Sequence, residues 1–337
     1  MKAFALQGSF GLDALRPIDL PDPEPGPGQI VLQMRAASLN FRDLLVAKGL
    51  YNPKFALPLV PLSDGVGEVV AVGDGVTRVK VGDRVSPIFH QRWIDGELSA
   101  DKARGALGGE LPGVAAERVL LDAEGVVAVP QHLTDEEAAS LPCAAVTAWN
   151  ALFVAGHIKA GDTVLVQGTG GVSIFALQFA RLAGARVIVT SSSDEKLERA
   201  RSLGASETIN YRANPDWDAP ARSFTGGAGV DHVIEVGGAG TLARSLRAVR
   251  FGGRVSLIGV LTGGALGDVG LFPILMKQIT AQGIFVGSRA MFEDMNRAIA
   301  ASGLRPVVDR VVPFAEVRQA IESMASGSHF GKIAIRF

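Results

Sequence analysis

The chain predicts an α/β fold in which a doubly wound parallel sheet is set between β-rich flanks. Three observations carry this prediction. The first is a strand, glycine turn, helix and strand from Thr163 to Lys196. The second is a βα alternation that continues to Ser288, and the third a series of short β-branched runs broken by Gly and Pro between Lys2 and Leu121. Thr163 to Gln167 is a compact apolar run of the kind that forms a strand buried on both faces. Gly168, Gly170 and Gly171 follow, and a helical pattern runs from Ile174 to Leu182. Glycines at such a turn let the backbone bend tightly and approach a pyrophosphate, whose charge then faces the helix N-terminus.

In chain order, Ile30 to Ala36, Gly67 to Val72, Asp83 to Ile88 and Glu117 to Asp122 are the clearest strands of a compact, partly barrel-like β domain. From Thr134 the period becomes helical, with Thr134 as N-cap and acids in the first turn. Parallel strands are expected at Thr163 to Gln167, Arg186 to Thr190, Glu207 to Tyr211, Gly229 to Val236, Gly253 to Val260 and Gly283 to Ser288. Helices at Met291 to Ala301 and Phe314 to Met324 and a strand at Lys332 to Phe337 end the chain, a tail expected to return to the N-terminal β domain. The domain division is therefore drawn as 1–124 with 290–337 against 125–289. Phe89 to Pro112 carries few strand or helix signals.

The turn after the second strand discriminates between dinucleotides. An NAD site places an Asp or Glu about 20 residues past the glycines, where it accepts hydrogen bonds from the ribose 2′-hydroxyl. Here Ser191, Ser192 and Ser193 stand in that turn, with Lys196 one helical turn later. A carboxylate repels a 2′-phosphate, whereas hydroxyls donate to it and an ammonium pairs with it. Gly168, Gly170, Gly171 and Val172 are expected on the pyrophosphate, Ser191, Ser192 and Lys196 on the 2′-phosphate, and Tyr211 over the adenine, which makes an NADPH site. The plainer alternative is a serine N-cap followed by a solvated lysine.

Length and charge bound the remaining choices. The 337 residues suit about two domains. Lys plus Arg (33) nearly balance Asp plus Glu (34), so no large positive field calls for nucleic acid or anionic lipid. No apolar stretch reaches the ~18 residues of a membrane span, and the first residues lack a secretory pattern. A single cysteine, Cys143, excludes an intramolecular disulfide and fits a reducing compartment, so a cytoplasmic location is expected.

Four segments together have a familiar order: AASLNFRDLLVAKGLY (Ala36 to Tyr51), LSDGVGEVVAVGDGVTRVKVGDRV (Leu62 to Val85), LPCAAVTAWNAL (Leu141 to Leu152) and the glycine turn. The chain resembles the medium-chain dehydrogenase/reductase superfamily along nearly its whole length, and within it the zinc-free, quinone-oxidoreductase-like branch. The resemblance implies a GroES-like β domain and a Rossmann domain, with the active site in the cleft between them. Where the zinc-dependent branch has a ligand Cys, this chain has Asn40; where that branch has the His of a Gly-His-Glu motif, Ser63 precedes Asp64. The structural zinc lobe of that branch needs four close cysteines, and the stretch from Phe89 to Pro112 has none. His90, His132, His157, His232 and His329 show no ligand spacing, so no zinc is expected.

Without a metal, side chains, backbone dipoles or water must handle the proton and the charge that develops on a carbonyl oxygen as hydride enters an electron-poor carbon. By resemblance, Asn40 lies near the nicotinamide and donates to an oxygen, Tyr51 is the best donor or proton source, and Asp64 faces the cleft. The plain readings are a packed aromatic for Tyr51 and a turn anchor at Gly65 for Asp64. Arg42 and Asp43 are neighbours whose pairing sequence alone leaves open, and Cys143 beside Pro142 reads as a small core residue. The resemblance also places Thr147 near the nicotinamide phosphate, Ile258, Val260, Phe285 and Gly287 beside the nicotinamide, and Lys332 on the cofactor. Ser173 stands where the family turn has a third glycine; it either pushes the helix outward or donates to phosphate.

These readings converge on a zinc-free, NADPH-dependent reductase of quinones or α,β-unsaturated carbonyls. The alternatives are a metal-free alcohol dehydrogenase or carbonyl reductase, and a low-turnover NADPH-binding protein. The substrate pocket falls on Tyr51 to Leu57, Phe89 to Leu111 and Leu261 to Phe272, whose shape sequence does not give. LFPILM (Leu271 to Met276) beside an expected edge strand carrying Ile284 and Phe285 points to a homodimer; if LFPILM folds back into its own core or lines the substrate cleft the chain is a monomer.

Overall fold

The structure, a computed structural model, describes residues 1–265 and 269–337, so part of the segment from Leu261 to Phe272 lies outside the described residues. A first compact unit comprises Met1–Val146 and Gly287–Phe337, and a second comprises Thr147–Val286. The first begins with β1 (Lys2–Leu6), β2 (Leu15–Asp19), β3 (Gln29–Ser38), α1 (Phe41–Ala47), β4 (Asp64–Val72), β5 (Arg84–Pro87), β6 (Arg118–Asp122), β7 (Val126–Ala128) and α2 (Asp135–Ala139). The long strand β3 is its hub, antiparallel to both β4 and β6. Ile30, Leu32 and Met34 of β3 pack with Leu44, Val69, Val85, Val119 and Leu121 in one buried core. Each such aliphatic side chain contributes about 1.5–3 kcal/mol on burial.

The short helix α3 (Val146–Trp149) stands at the changeover. The second unit then alternates β8 (Thr163–Gln167), α4 (Gly171–Leu182), β9 (Arg186–Ser191), α5 (Asp194–Ser202), β10 (Glu207–Asn210), α6 (Asp218–Ser223), β11 (Val230–Glu235), α7 (Ala239–Ala248), β12 (Val249–Leu257), α8 (Phe272–Met276) and β13 (Thr280–Gly283). Its strands are all parallel, in the order β10-β9-β8-β11-β12-β13. Every residue of β8 is buried, as a strand covered on both faces requires. The strand order reverses between β8 and β11. The chain then completes the first unit with α9 (Arg289–Ser302), β14 (Val308–Pro313), α10 (Val317–Ser323) and β15 (Lys332–Arg336). β15 lies antiparallel to β3, so the tail does return to the N-terminal sheet.

Three details depart from the sequence-based expectation. The last parallel strand is Thr280–Gly283 rather than Gly283 to Ser288. Val286 adopts φ 55, which a β-branched residue in a strand does not, so the chain leaves the sheet before it. The helix begun at Thr134 breaks into α2 and two π-helical stretches, Leu141–Ala145 and Asn150–Val154. Pro142 has no N–H to continue the ladder of α2. The units change at 146/147 and 286/287, not at 124/125 and 289/290, because α2 packs on β3 and β4 of the first unit. Among the described residues, no helix is long and apolar enough to cross a membrane.

Candidate active site

Ligands of doubly wound sheets bind beyond the carboxyl ends of the strands, where the strand order reverses. In the second unit that point is the end of β8. Gly168 adopts φ 70, a conformation glycine takes without penalty. A Cβ at Gly168 or Gly170 would meet nothing within 4 Å, so the space over the turn is open. Gly171 and Val172 begin α4, a helix of 12 residues whose first N–H groups have no partner within the helix. This open cradle fits the pyrophosphate of a dinucleotide. Ser173 is buried and donates to the carbonyl oxygen of Gln167 at 2.7 Å, tying helix to strand rather than giving its proton to a phosphate.

At the end of β9, Ser193 caps α5 by accepting from the Lys196 N–H at 3.3 Å, so one of the three serines is the N-cap that the plainer reading required. Ser191 is buried, and its hydroxyl oxygen accepts from the Ser193 N–H at 3.3 Å. Ser192 and Lys196 are half-buried beside it. The register of β9 and β10 sets Asn210 opposite Ser191. Tyr211 follows, its N–H donating to the Ser191 carbonyl at 3.0 Å and its ring left exposed. Ser191, Lys196 and Tyr211 thus gather at one corner of the sheet.

The crevice rests on a network that the sequence reading missed. Glu235 ends β11 and is 1 % exposed. One carboxylate oxygen accepts from the Gly237 and Gly238 N–H groups and the Thr241 hydroxyl at 2.8, 2.9 and 2.6 Å. The other accepts from the Gln167 amide at 2.7 Å and from the Ser245 hydroxyl. Thr262 donates to the Gly237 carbonyl and accepts from the Gly240 N–H, both at 2.8 Å, which fixes the loop that follows β12. An acid ending a buried parallel strand was the available signal, since such a group is buried only with partners. Beyond β12, Ile258 is half-buried and Val260 exposed. Phe285 is exposed, and the strained Val286 offers its carbonyl to the Asn150 amide at 2.8 Å. Thr147 is buried at the start of the same unit. Gly287 belongs to the first unit, where a Cβ would meet Val146 Cγ1 at 2.6 Å.

A second polar assembly lies inside the first unit. Asn40 caps α1, and the Asp43 carboxylate accepts from the Asn40 backbone N–H at 2.8 Å. The Asn40 amide donates weakly to Ser63 Oγ at 3.4 Å, and Ser63 donates to Asp64 Oδ1 at 2.7 Å. Asp64 Oδ2 accepts from the Cys143 N–H at 3.0 Å. Lys332, expected on the cofactor, is 2 % exposed and donates to the Leu39 carbonyl and to Asn40 Oδ1, each at 2.6 Å. Burial raises the Asp64 carboxyl above its ordinary range, against the opposing pull of Lys332 and of its hydrogen bonds. Burial also pushes Asp43 up to about 6, although Arg42 works against it, and raises the Cys143 thiol, which leaves that cysteine a poor nucleophile.

Arg42 closes one side of this region. Its guanidinium lies 5.1 Å from the Tyr51 ring centre and 4.8 Å from that of Phe89, and it donates to the Leu107 carbonyl at 2.9 Å. Its nearest approach to Asp43 is 3.5 Å. Tyr51 stays 42 % exposed and stacks on Phe55, so the hydroxyl-bearing ring has access to solvent. A neutral amide and a hydroxyl occupy the two positions compared with zinc ligands. Among the described residues, no group of three His, Cys, Asp or Glu is arranged to hold a metal.

A Rossmann sheet with an open glycine cradle, carried in one chain with a GroES-like β unit, defines a two-domain nicotinamide-dependent oxidoreductase. The alcohol dehydrogenase GroES-like domain model matches residues 26–131, and the zinc-binding dehydrogenase model matches residues 171–301. The zinc-type alcohol dehydrogenase-like protein C1773.06c of Schizosaccharomyces pombe is 45% identical over 332 residues, covering 97% of this chain and 96% of that protein. A solved NAD-dependent alcohol dehydrogenase superposes with a TM-score of 0.92 at 34% identity, over 100% of both chains. The crotonyl-CoA carboxylase/reductase AntE in complex with NADP gives 0.86 at 28% identity, over 100% of this chain and 94% of that one. The chain belongs to the medium-chain dehydrogenase/reductase superfamily of oxidoreductases.

Proposed function

We propose that the protein is a zinc-free, NADPH-dependent reductase that delivers hydride to quinones or α,β-unsaturated carbonyls. The observation that carries this reading is the Asn40–Ser63–Asp64 assembly, which offers hydrogen-bond donors where a zinc enzyme needs ligands. NADPH, when bound, supplies the hydride. Gly168, Gly170, Gly171 and Val172 hold its pyrophosphate, Ser191, Ser192 and Lys196 its 2′-phosphate, and Tyr211 covers the adenine. Thr147, Ile258, Val260, Phe285 and Gly287 line the nicotinamide end. Asn40 and Tyr51 donate to the substrate oxygen as negative charge gathers there, and Asp64 holds the donor assembly from within. The NADP complex among the structural relatives supports the cofactor choice. A metal-free alcohol dehydrogenase or carbonyl reductase is the second reading; the names of the relatives favour alcohol dehydrogenase chemistry, one of them as a zinc-type protein.

NADPH oxidation after exhaustive chelation, with a quinone, an enone and a simple aldehyde, tests the proposal. Turnover of quinone or enone without turnover of aldehyde is the expected result. Turnover of the aldehyde alone selects the second reading, and activity lost on chelation but regained with Zn²⁺ overturns metal independence. We also propose a homodimer joined at β13. Every residue of that edge strand is exposed, and Leu271, Phe272, Leu275 and Met276 beside it are 66–78% exposed. Because the edge is β13, Ile284 (8% exposed) is no surface probe and Leu275→Glu is the useful one. Light scattering is expected to give a dimer mass for the unmodified protein and a monomer mass for the variant.

A further inference from the structure

We propose that Lys332 is a positioning residue whose buried ammonium fixes the direction of the Asn40 amide. The register Ala334↔Ser38 between β15 and β3 brings the end of the chain beside the start of α1, so that Lys332 reaches Asn40 across 292 residues. Its ammonium lies 2.6 Å from the Leu39 carbonyl oxygen and 2.6 Å from Asn40 Oδ1. The nearest Asp64 oxygen is 3.9 Å away. A lysine serving only to neutralise Asp64 would give its short bonds to the carboxylate; this one gives them to two neutral oxygens. A lysine reaching for a cofactor phosphate would carry an accessible head group, and this one is 2 % exposed.

The opposite end of the amide faces the anionic side of the assembly, where Ser63 Oγ lies at 3.4 Å and passes a proton contact to Asp64 at 2.7 Å. The amide dipole therefore lies with oxygen toward the cation and nitrogen toward the anion. A flipped amide would set its NH₂ against the ammonium and its oxygen against acceptors, and both contacts are repulsive in a water-excluded interior. Only one orientation is left, and it presents Asn40 as a donor. This rests on the reading in which Asn40 donates to the substrate oxygen.

The test compares Lys332→Met with Lys332→Met/Asp64→Asn, the second of which removes the lone buried charge that the first leaves behind. In protein labelled with ¹⁵N-asparagine, the Asn40 side-chain NH₂ pair is identified by its loss in Asn40→Ser. It is expected to be sharp and slow to exchange in the unmodified protein, and broadened and fast to exchange in both lysine variants. The double variant should regain thermal stability while kcat stays down by about tenfold or more and NADPH affinity is unchanged. Unmodified amide signals and kcat in the double variant would show that Lys332 serves stability alone and overturn the proposal. A fall in NADPH affinity with kcat intact would overturn it in favour of a cofactor contact. If the unmodified protein reduces no acceptor at all, the proposed function fails, and the amide signals still decide the role of Lys332.

Discussion

At the carboxyl end of β8 the chain leaves space open, whereas at the start of α1 it fills the interior with charge. The cradle is made of backbone: a Cβ at Gly168 or Gly170 would meet nothing within 4 Å, and the first N–H groups of α4 have no partner within the helix. The cluster is made of side chains: Asn40, Ser63, Asp64 and Lys332 are each at least nine-tenths buried and are joined to one another. An open backbone site costs the fold little and takes its ligand as found. A closed polar cluster must satisfy itself first, because every unpaired group inside it costs free energy. The two sites should therefore answer mutation in opposite ways.

The largest effect expected is at Asp64. Asp64→Ala removes the carboxylate 3.9 Å from the Lys332 ammonium and the acceptor of the Ser63 hydroxyl and Cys143 N–H, at a cost of about 3–5 kcal/mol in urea unfolding. Gly170→Ala is the counterpart in the cradle. Its φ of -78 suits any residue and a Cβ meets nothing, so stability should change by about 1 kcal/mol at most. NADPH affinity should fall by about tenfold, because the methyl group takes space the pyrophosphate needs. Equal stability losses in the two variants would break the contrast between an open and a closed site.

Cofactor preference comes next in size. Ser191→Asp with Lys196→Ala places a carboxylate at the end of β9 and removes an ammonium from the first turn of α5. A charge-assisted contact is worth about 1.5–3 kcal/mol, so the ratio of NADPH to NADH affinity should drop by about tenfold or more. An unmodified protein that already prefers NADH in competition titration would show that the serine turn is an N-cap and no more.

The same contrast explains what the sequence disclosed. The cradle was legible because strand, glycines and helix are consecutive, and because glycine at φ 70 has a local cause. The cluster was legible only as separate residues. Asn40 and Asp64 stood out by resemblance, but their link to Lys332 spans almost the whole chain and depends on the pairing of β15 with β3. Glu235 escaped notice because its partners Gln167 and Ser245 come from other elements, the strand β8 and the helix α7. The end of β13 was misplaced because Ile284–Phe285–Val286 reads as a strand, while the positive φ of Val286 is set by its surroundings.

The smallest effect expected is on net stability in mild acid, because buried groups in the first unit oppose each other. Burial pushes Asp43 up to about 6 from 3.8, and burial with the repulsion of Arg42 pushes His90 down to about 4 from 6.5. As pH falls from 6 toward 3.8, folded Asp43 takes up a proton before the unfolded chain does, so acid stabilises the fold. As pH falls from 6.5 toward 4, the unfolded chain protonates its histidine before folded His90 does, so acid destabilises it. At about 1.36 kcal/mol per pH unit each contribution is about 3 kcal/mol, and the two nearly cancel. Asp64 is shifted in the same direction as Asp43, and His232 in the second unit in the same direction as His90. The urea midpoint of the unmodified protein should thus stay nearly level between pH 6.5 and 4.5, above the range where surface carboxylates such as Glu124 lose their Arg partners. Asp43→Asn removes the stabilising half and should make the midpoint fall steadily with acid; His90→Gln removes the other half and should make it rise. Variant profiles that run parallel to the unmodified protein would show that neither buried group titrates in this window.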